Sequence, residues 1–240
     1  MAREWRLHSA EAAAKLLSLR DLPVNYSLPP GRTPAPEQGW HVDALRQWVA
    51  REPPGDPVPG GAWDIACGLV RDYQFPAPGI LGGLYRRDDE LLGRNMLLEG
   101  RFCGLRFDMG VRVTSVTDEV RGEGEAAQRV WGWGYRTLLG HLEEGELTYE
   151  VIKHLTSGDV EFRISGYSRR APIPNPLVRV GFMVFGRMTQ RRFYRHSAER
   201  LRVLTQAEVR GAPPVRPHPV PGGDGNLVVA PSRSRAYGVL

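Results

Sequence analysis

Alternation of apolar and polar residues marks the middle of the chain, from about residue 92 to residue 169. In residues 105–114 apolar side chains occupy every second position, with mostly charged or polar residues between them. This period of two predicts a half-buried β-strand. Its neighbouring strands are predicted at residues 93–102, 129–137, 147–155 and 160–168. Short turns such as 157–159 join antiparallel strands, because parallel pairs need long crossovers, so the pattern predicts an antiparallel meander.

Three segments before the meander carry helical patterns. Ser9 is a candidate N-cap for a helix over residues 9–20, whose alanines favour helix. In residues 41–51 apolar side chains recur at every third position, which predicts a short helix, and residues 63–74 predict another. Proline-rich stretches, at residues 23–36 and 53–61, are predicted to connect them.

One long helix is predicted from residue 177 to about residue 205. Asn175 is its candidate N-cap, and Pro176 suits the first helical position. The first half of this helix is apolar on nearly every side, as in a buried helix, and the second half is basic. An antiparallel sheet followed by a long helix predicts an α+β helix-grip fold, in which the curved sheet wraps the helix and leaves a cavity between them.

The patterns divide the chain into three parts. We expect residues 1–62 to form a helical, proline-rich extension and residues 63–208 to form the helix-grip domain. Residues 211–240 contain six prolines and five glycines. Because this composition is typical of chains without a packed core, residues 209–240 are predicted to be a disordered tail.

Composition excludes several protein classes. With 41% hydrophobic and 25% charged residues, the chain is neither collagen, coiled coil nor fully disordered. It has no apolar run long enough for a transmembrane segment, and charges stand where a signal peptide needs an apolar core. Its two cysteines, Cys67 and Cys103, suit a reducing compartment. We therefore expect a cytoplasmic protein.

The formal net charge of +5 raises the question of nucleic acid. Thirty of the 32 basic residues are arginine, which indicates a bias of codon usage along the whole chain, and acidic residues are well mixed with them. A nucleic-acid footprint is a clustered stripe instead. We do not expect nucleic acid to be the partner.

Residues 129–205, with residues 91–117, resemble the family called domain of unknown function nineteen-ninety. The most specific elements of the resemblance are Tyr135-Arg136-Thr137-Leu138, Gly140-His141 and Gly145-Glu146. It covers about residues 65–205 and implies a START-like helix-grip fold, in agreement with the patterns above. The resemblance implies no activity, and so it assigns no catalytic residue.

Aromatic residues at alternating positions are the candidate wall of a ligand cavity. They are Trp131, Trp133, Tyr135, Tyr149 and Phe162, opposed by Phe182, Phe185 and Met188 of the long helix. Apolar pockets use a few placed polar groups for orientation, and Arg136 and His141 are the candidates here. This pattern predicts a binder of a small hydrophobic or amphipathic molecule. The alternative is a plain packed core, which has the same period.

His141 also supports an enzyme hypothesis. A histidine beside a carboxylate or a phenol can act in acid–base catalysis, so His141 with Glu146 or Tyr135 predicts a cyclase or hydrolase. The alternative is a turn histidine that hydrogen-bonds locally. The sequence has no phosphate-binding glycine loop and no metal-ligand spacing, so neither a cofactor nor a metal is expected.

A third hypothesis concerns the basic half of the long helix. Its candidate anion-contacting residues are Arg187, Arg191, Arg192 and Arg195. With the proline-rich tail, these residues could contact an anionic membrane surface, a nucleic acid or a partner protein. The alternative is a solvated helix face.

Overall fold

The computed structural model describes residues 6–29, 31–102, 105–171 and 176–232, with the main chain alone at residues 102, 105 and 176–189. Its helices are α1 (Ala10–Ser18), α2 (Ala62–Arg71) and α3 (Pro176–Val209). Its strands are β1 (His41–Arg51), β2 (Leu81–Arg86), β3 (Asn95–Phe102), β4 (Leu105–Arg121), β5 (Gln128–Thr137), β6 (Glu143–His154), β7 (Asp159–Arg170), β8 (His218–Pro219) and β9 (Leu227–Ala230).

The strands form one antiparallel sheet in the order β1-β7-β6-β5-β4-β3-β2-β9-β8. Strands β3 to β7 are neighbours in sequence and in space, which confirms the predicted meander. Close strand approach depends on glycine at several points. A Cβ at Gly132 would lie 2.2 Å from the carbonyl oxygen of Tyr149, and one at Gly166 would lie 2.2 Å from that of Glu146. These glycines let the sheet curve tightly.

Two helices cover the inner face of the sheet, which is the face that carries Trp133, Tyr149 and Phe162. Residues 193–204 of α3 and most of α2 contribute buried apolar side chains to the same core cluster. Helix α3 begins at Pro176 and is 34 residues long, about 51 Å at 1.5 Å per residue. A curved antiparallel sheet that grips a long C-terminal helix is the predicted fold, and the structure confirms it.

The outer face of the sheet is covered in part by α1. Its N-cap is Ser9, whose hydroxyl accepts a hydrogen bond from Ala12 N at 3.2 Å, as predicted. Leu16 and Leu19 pack against Leu84 and Leu97 of the sheet in a second, smaller core cluster. The sheet is therefore buried on both faces at its β2–β3 end.

The prediction of a helix over residues 41–51 is wrong, because these residues form the edge strand β1, paired with β7. Val42 and Trp48 lie on its outer face and are about half exposed, whereas Leu45 packs against the core from the other face. These three apolar residues, three positions apart, therefore mimic a helical spacing although they do not share a face of the strand. Strand β1 also joins the helix-grip sheet, so the predicted boundary at residue 62 cuts through one sheet.

The prediction of a disordered tail is wrong for residues 218–219 and 227–230. Strand β9 pairs with β2, and Val228, Val229 and Ala230 are almost fully buried. Arg200 of α3 donates hydrogen bonds to the carbonyl oxygens of Gln74, at 2.9 Å, and Ser232, at 3.0 Å. The proline and glycine content of this segment predicted disorder, although four consecutive apolar residues within it form a strand that contributes to the core.

Candidate functional site

A cavity of about 140 Å³ lies at one end of the inner face, where β2 to β6 approach α3. Its apolar lining comes from neighbouring strands and from the helix: Leu81, Leu98, Met109, Leu147 and Phe193. Gly100 also lines it, and a Cβ there would lie 2.9 Å from the Met109 methyl carbon. The space therefore exists partly because residue 100 has no side chain.

Polar residues interrupt this apolar wall. Tyr135, His141 and Glu143 lie where β5 ends and β6 begins, Arg101 lies in β3, and Gln190 lies in α3. The Arg101 guanidinium donates to the buried carboxylate of Glu99 at 3.1 Å, and the Gln190 amide donates to the Ser168 hydroxyl at 3.1 Å. Of the site residues predicted from the sequence, Tyr135 and His141 line the cavity, and both carry uncharged polar groups.

The His141 ring is fixed by the chain that follows it. Its Nδ1 lies 2.9 Å from both the main-chain nitrogen and the main-chain oxygen of Glu143. Burial lowers the pKa of His141 to about 4, because removal from water disfavours the imidazolium. The ring is therefore neutral at pH 7 and offers a ligand hydrogen bonding without charge.

Tyr135 stands in a cluster of buried phenols. Its hydroxyl accepts a hydrogen bond from the Tyr149 hydroxyl at 3.5 Å. Burial raises the pKa of Tyr135 to about 12, and it raises the pKa values of Tyr149 and Tyr73 well above 10. All three phenols stay protonated near neutral pH. Since Tyr149 is fully buried away from the cavity, Tyr135 is the member of the pair that a ligand would meet.

The other predicted wall residues lie in packed core rather than at the cavity. Tyr149 and Phe162 stack at 6.4 Å between ring centroids, and Trp133 lies 5.2 Å from Tyr149. The Trp133 indole N–H donates to the Val70 carbonyl at 3.2 Å. Trp131 packs under the Arg71 guanidinium, 4.9 Å from its ring centroid. Trp131, Trp133, Tyr149 and Phe162 therefore lie in a packed core, which was the alternative to a ligand-binding wall.

Tyr73 and Phe75, which follow α2, fill space on the inner face where the sequence pattern predicted a ligand. Phe75 lies 4.6 Å from Tyr149 and 5.4 Å from Phe162, measured between ring centroids. Tyr73 adopts a left-handed backbone with φ of 53° at the end of α2. Its ring lies where a Cβ at Gly83 would be only 3.1 Å away. These two residues after α2 therefore confine the cavity to the end of the inner face where β2 to β6 approach α3.

Arg136 does not reach the cavity, contrary to prediction. It follows Tyr135 in β5, so it projects from the opposite face, where its Nε donates to Glu146 at 2.7 Å. The Tyr167 hydroxyl donates to the same Glu146 oxygen at 3.0 Å. No hydrogen bond joins Glu146 to His141 among the described residues. The geometry brings together His141 and Tyr135, and it does not bring together His141 and Glu146.

The basic residues of α3 divide into different environments. Arg191, Arg192 and Arg195 are exposed, whereas Arg200 is buried. Arg202 pairs with Glu199, three residues earlier in the helix. The side chains of Arg187, Phe182, Phe185 and Met188 lie outside the described residues, as does Asn175.

A model of the family described as Domain of unknown function (DUF1990) matches residues 25–200. The chain belongs to this family. The DUF1990 match includes strands β1 to β7 and most of α3, so the family domain begins well before the predicted residue 63. Helix α1 and strands β8 and β9 lie outside the match.

Comparison with curated proteins finds no match. Solved structures similar to this DUF1990 chain include norcoclaurine synthase from Thalictrum flavum with dopamine and hydroxybenzaldehyde, with 11% identity over 79% of this chain and 99% of the other and a TM-score of 0.40. A point mutant of the Thalictrum enzyme with a transition state analogue has 11% identity, coverage of 70% and 96%, and a TM-score of 0.45. Ara h 8.0201 has 10% identity, coverage of 70% and 99%, and a TM-score of 0.38. Similarity this low says nothing about what the chain binds.

Two features are absent from the described residues. No group of three or more histidine, cysteine, aspartate or glutamate side chains within them is arranged to hold a metal ion. In the same part of the chain, no helix combines the length and the apolar character that crossing a bilayer requires.

The cavity-lining residues that sequence reasoning missed include Leu98, Gly100, Met109, Leu147 and Phe193. Met109 and Leu147 lie in predicted strands, and alternation assigns both to a buried face. What alternation lacks is the register between strands and the position of α3, which together decide where the inner face stays open.

Proposed function

We propose that this protein binds a small amphipathic molecule in the cavity between the sheet and α3. The observation that carries the proposal is an apolar cavity of about 140 Å³ with the Tyr135 hydroxyl and the neutral His141 ring at one edge. The apolar part of the ligand lies against Leu98, Met109 and Phe193. Its polar group points to Tyr135 and His141.

The size of the cavity limits the ligand. An engineered protein cavity of roughly 150 Å³ holds one benzene ring, so the described lining fits a molecule of about one ring. Burial of apolar surface contributes about 25 cal/mol for each Å² removed from water, which favours binding of such a ring. The uncharged state of Tyr135 and His141 favours a neutral hydroxyl or carbonyl group over an ionised one.

Phenol and toluene test the amphipathic part of the proposal, because they have the same ring and differ in one hydroxyl. Binding of both is measured by ligand-observed NMR for the wild type, Tyr135→Phe and Tyr149→Phe. The preference for phenol over toluene should fall about threefold to tenfold in Tyr135→Phe, since one hydrogen bond is lost. Tyr149→Phe is the matched control, because it removes the other hydroxyl of the same pair away from the cavity.

Two results would oppose the proposal. One is the absence of binding of either compound at millimolar concentration. The other is an equal loss of phenol preference in both variants, which would mean that the phenol pair acts on core packing rather than on the ligand.

An enzyme of hydrolase type is the second candidate, and the shared position of Tyr135 and His141 at the cavity supports it. A neutral imidazole can accept a proton from water while a phenol donates to a carbonyl oxygen. Hydrolysis of phenyl acetate should then rise with pH through about 4 and level off above it. His141→Ala should abolish turnover and retain toluene binding. Hydrolysis unaffected by His141→Ala would exclude this candidate.

A further inference from the structure

A second cleft, of about 560 Å³, lies near the ends of β2 and α2 that face away from the ligand cavity. Three parts of the chain form it: the end of α2, the β2–β3 connection, and the segment just before β8. We call it the basic cleft. Its charged lining consists of Arg71, Arg87, Arg94, Arg216 and Asp72.

Arg94 is the buried member of this set, with 8% of its surface exposed. Its guanidinium carbon lies 5.1 Å from the centroid of the Tyr85 ring. One terminal nitrogen donates to the carbonyl oxygens of Asp89, at 2.6 Å, and Arg87, at 3.4 Å. The guanidinium is thus held by a ring and by main-chain oxygens, and no carboxylate forms an ion pair with it among the described residues.

The Nε atom of Arg94 is buried and has no hydrogen-bond partner within the described part of the chain. A buried N–H of a charged group that lacks a partner is costly, and so is a buried charge without a counter-ion. An anion in the basic cleft would compensate the charge and add acceptors to this region. Tyr85 fixes the geometry, because its hydroxyl donates to the Asp72 carbonyl at 3.0 Å.

The remaining charges of the basic cleft also favour an anion. Arg71 and Arg87 are exposed, and Arg71 is oriented by its contact with Trp131. Arg216 approaches the Asp72 carboxylate at 3.5 Å and keeps 62% of its side chain exposed. Four guanidinium groups therefore line the cleft with a single carboxylate. Guanidinium forks match phosphate oxygens in geometry, and they bind them through charge-assisted hydrogen bonds.

We propose that the basic cleft binds a phosphate-bearing small molecule, with Arg94 at its base and Arg216 at its rim. This site is separate from the proposed ligand cavity and independent of that proposal. Because Arg216 comes from the segment that leads into β8 and β9, bound phosphate also stabilises the attachment of this C-terminal segment to the sheet.

Pyrophosphate is the probe, measured by calorimetry and by its effect on the melting temperature Tm. The full chain should bind pyrophosphate more tightly than inorganic phosphate, and its Tm should rise with pyrophosphate concentration. Arg216→Gln should weaken binding by about tenfold, since a hydrogen bond to a charged group is lost. This variant should fold normally, because Arg216 is largely exposed and has one distant partner.

Arg94→Gln should weaken binding at least as much, and Arg46→Gln is the matched control. Arg46 is an exposed residue of β1 at the other edge of the sheet, so its loss removes the same charge away from the basic cleft. Binding that is absent at millimolar pyrophosphate, or that weakens equally in Arg216→Gln and Arg46→Gln, would overturn the proposal.

Vesicles of phosphatidylcholine with phosphatidic acid distinguish a lipid headgroup from a soluble phosphate compound. We expect pyrophosphate to bind and the vesicles not to sediment the protein. Sedimentation that depends on Arg216, with no binding of pyrophosphate, would overturn the assignment of a soluble small molecule.

Discussion

Lys153 donates a hydrogen bond from Nζ to the Glu52 carboxylate at 2.7 Å, and both side chains are buried. The ammonium also donates to the Asp56 carbonyl at 2.8 Å. Glu52 accepts from the main-chain nitrogens of Trp63, at 2.8 Å, and Val58, at 3.2 Å. The pair therefore ties β1 and β6 to the start of α2, the helix that Tyr73 and Phe75 of the inner-face core follow.

Removal of one partner of this pair should destabilise the fold strongly. Burial alone would raise the pKa of Glu52, but the hydrogen bonds from Lys153 and two main-chain nitrogens outweigh it, and the pKa is lowered. Lys153→Met should cost about 3–5 kcal/mol of unfolding free energy, because it leaves a buried carboxylate without its cation. Urea denaturation measures this cost.

The double variant Glu52→Gln/Lys153→Met tests whether charge is the cause. It should recover part of the loss, since neither buried charge remains. A double variant as unstable as the sum of the two single variants would contradict the role of the ion pair.

Acidification should destabilise the protein through His141. Its pKa of about 4 in the folded state lies below the unfolded value near 6.5, so the unfolded chain binds the proton first. Stability should fall by about 3 kcal/mol between pH 6.5 and pH 4, and thermal denaturation across this range measures it. His141→Gln should have a shallower pH dependence there. An identical slope in the variant would contradict the burial of this ring.

The C-terminal strand should contribute to stability although the composition of its surroundings is typical of disorder. Val228→Ala/Val229→Ala should cost about 3 kcal/mol, because each valine buries two methyl groups worth about 0.8 kcal/mol each. Val209→Ala is the matched control at a valine that is 53% exposed. Equal, small effects of both changes on the denaturant midpoint would contradict the pairing of β9 with β2.

The exposed arginines of α3 test the interaction hypothesis. Arg191→Glu/Arg192→Glu should leave Tm unchanged within the range of surface substitutions, because both side chains are exposed. Retention on heparin should fall, since two positive charges become negative. A lower Tm in this variant than in the wild type would mean that this face of the helix packs against another element. Removal of residues 211–240, by contrast, should destabilise the fold itself.

Local sequence patterns predicted the strands of the meander and the start of α3, because each depends on a period or a cap within a few residues. They failed at β1, where Val42 and Trp48 are apolar yet exposed, and at β9, where four apolar residues stand among prolines and glycines. Of the candidate site residues, the structure places Tyr135 and His141 at the cavity and Trp133 and Phe162 in the packed core. Phe75 accounts for this difference, because it fills the space beside the core aromatic residues. Its position depends on contacts between distant parts of the chain.

Native mass spectrometry of the purified protein, with solvent extraction of what it carries, tests the central claim most directly. We predict a bound species of defined mass that is absent from Gly100→Leu, whose side chain would occupy the cavity beside Met109, and present in Gly68→Leu, where a Cβ meets nothing within 4 Å. A species retained equally by both variants, or a protein that carries nothing and binds neither phenol nor toluene, would contradict the account.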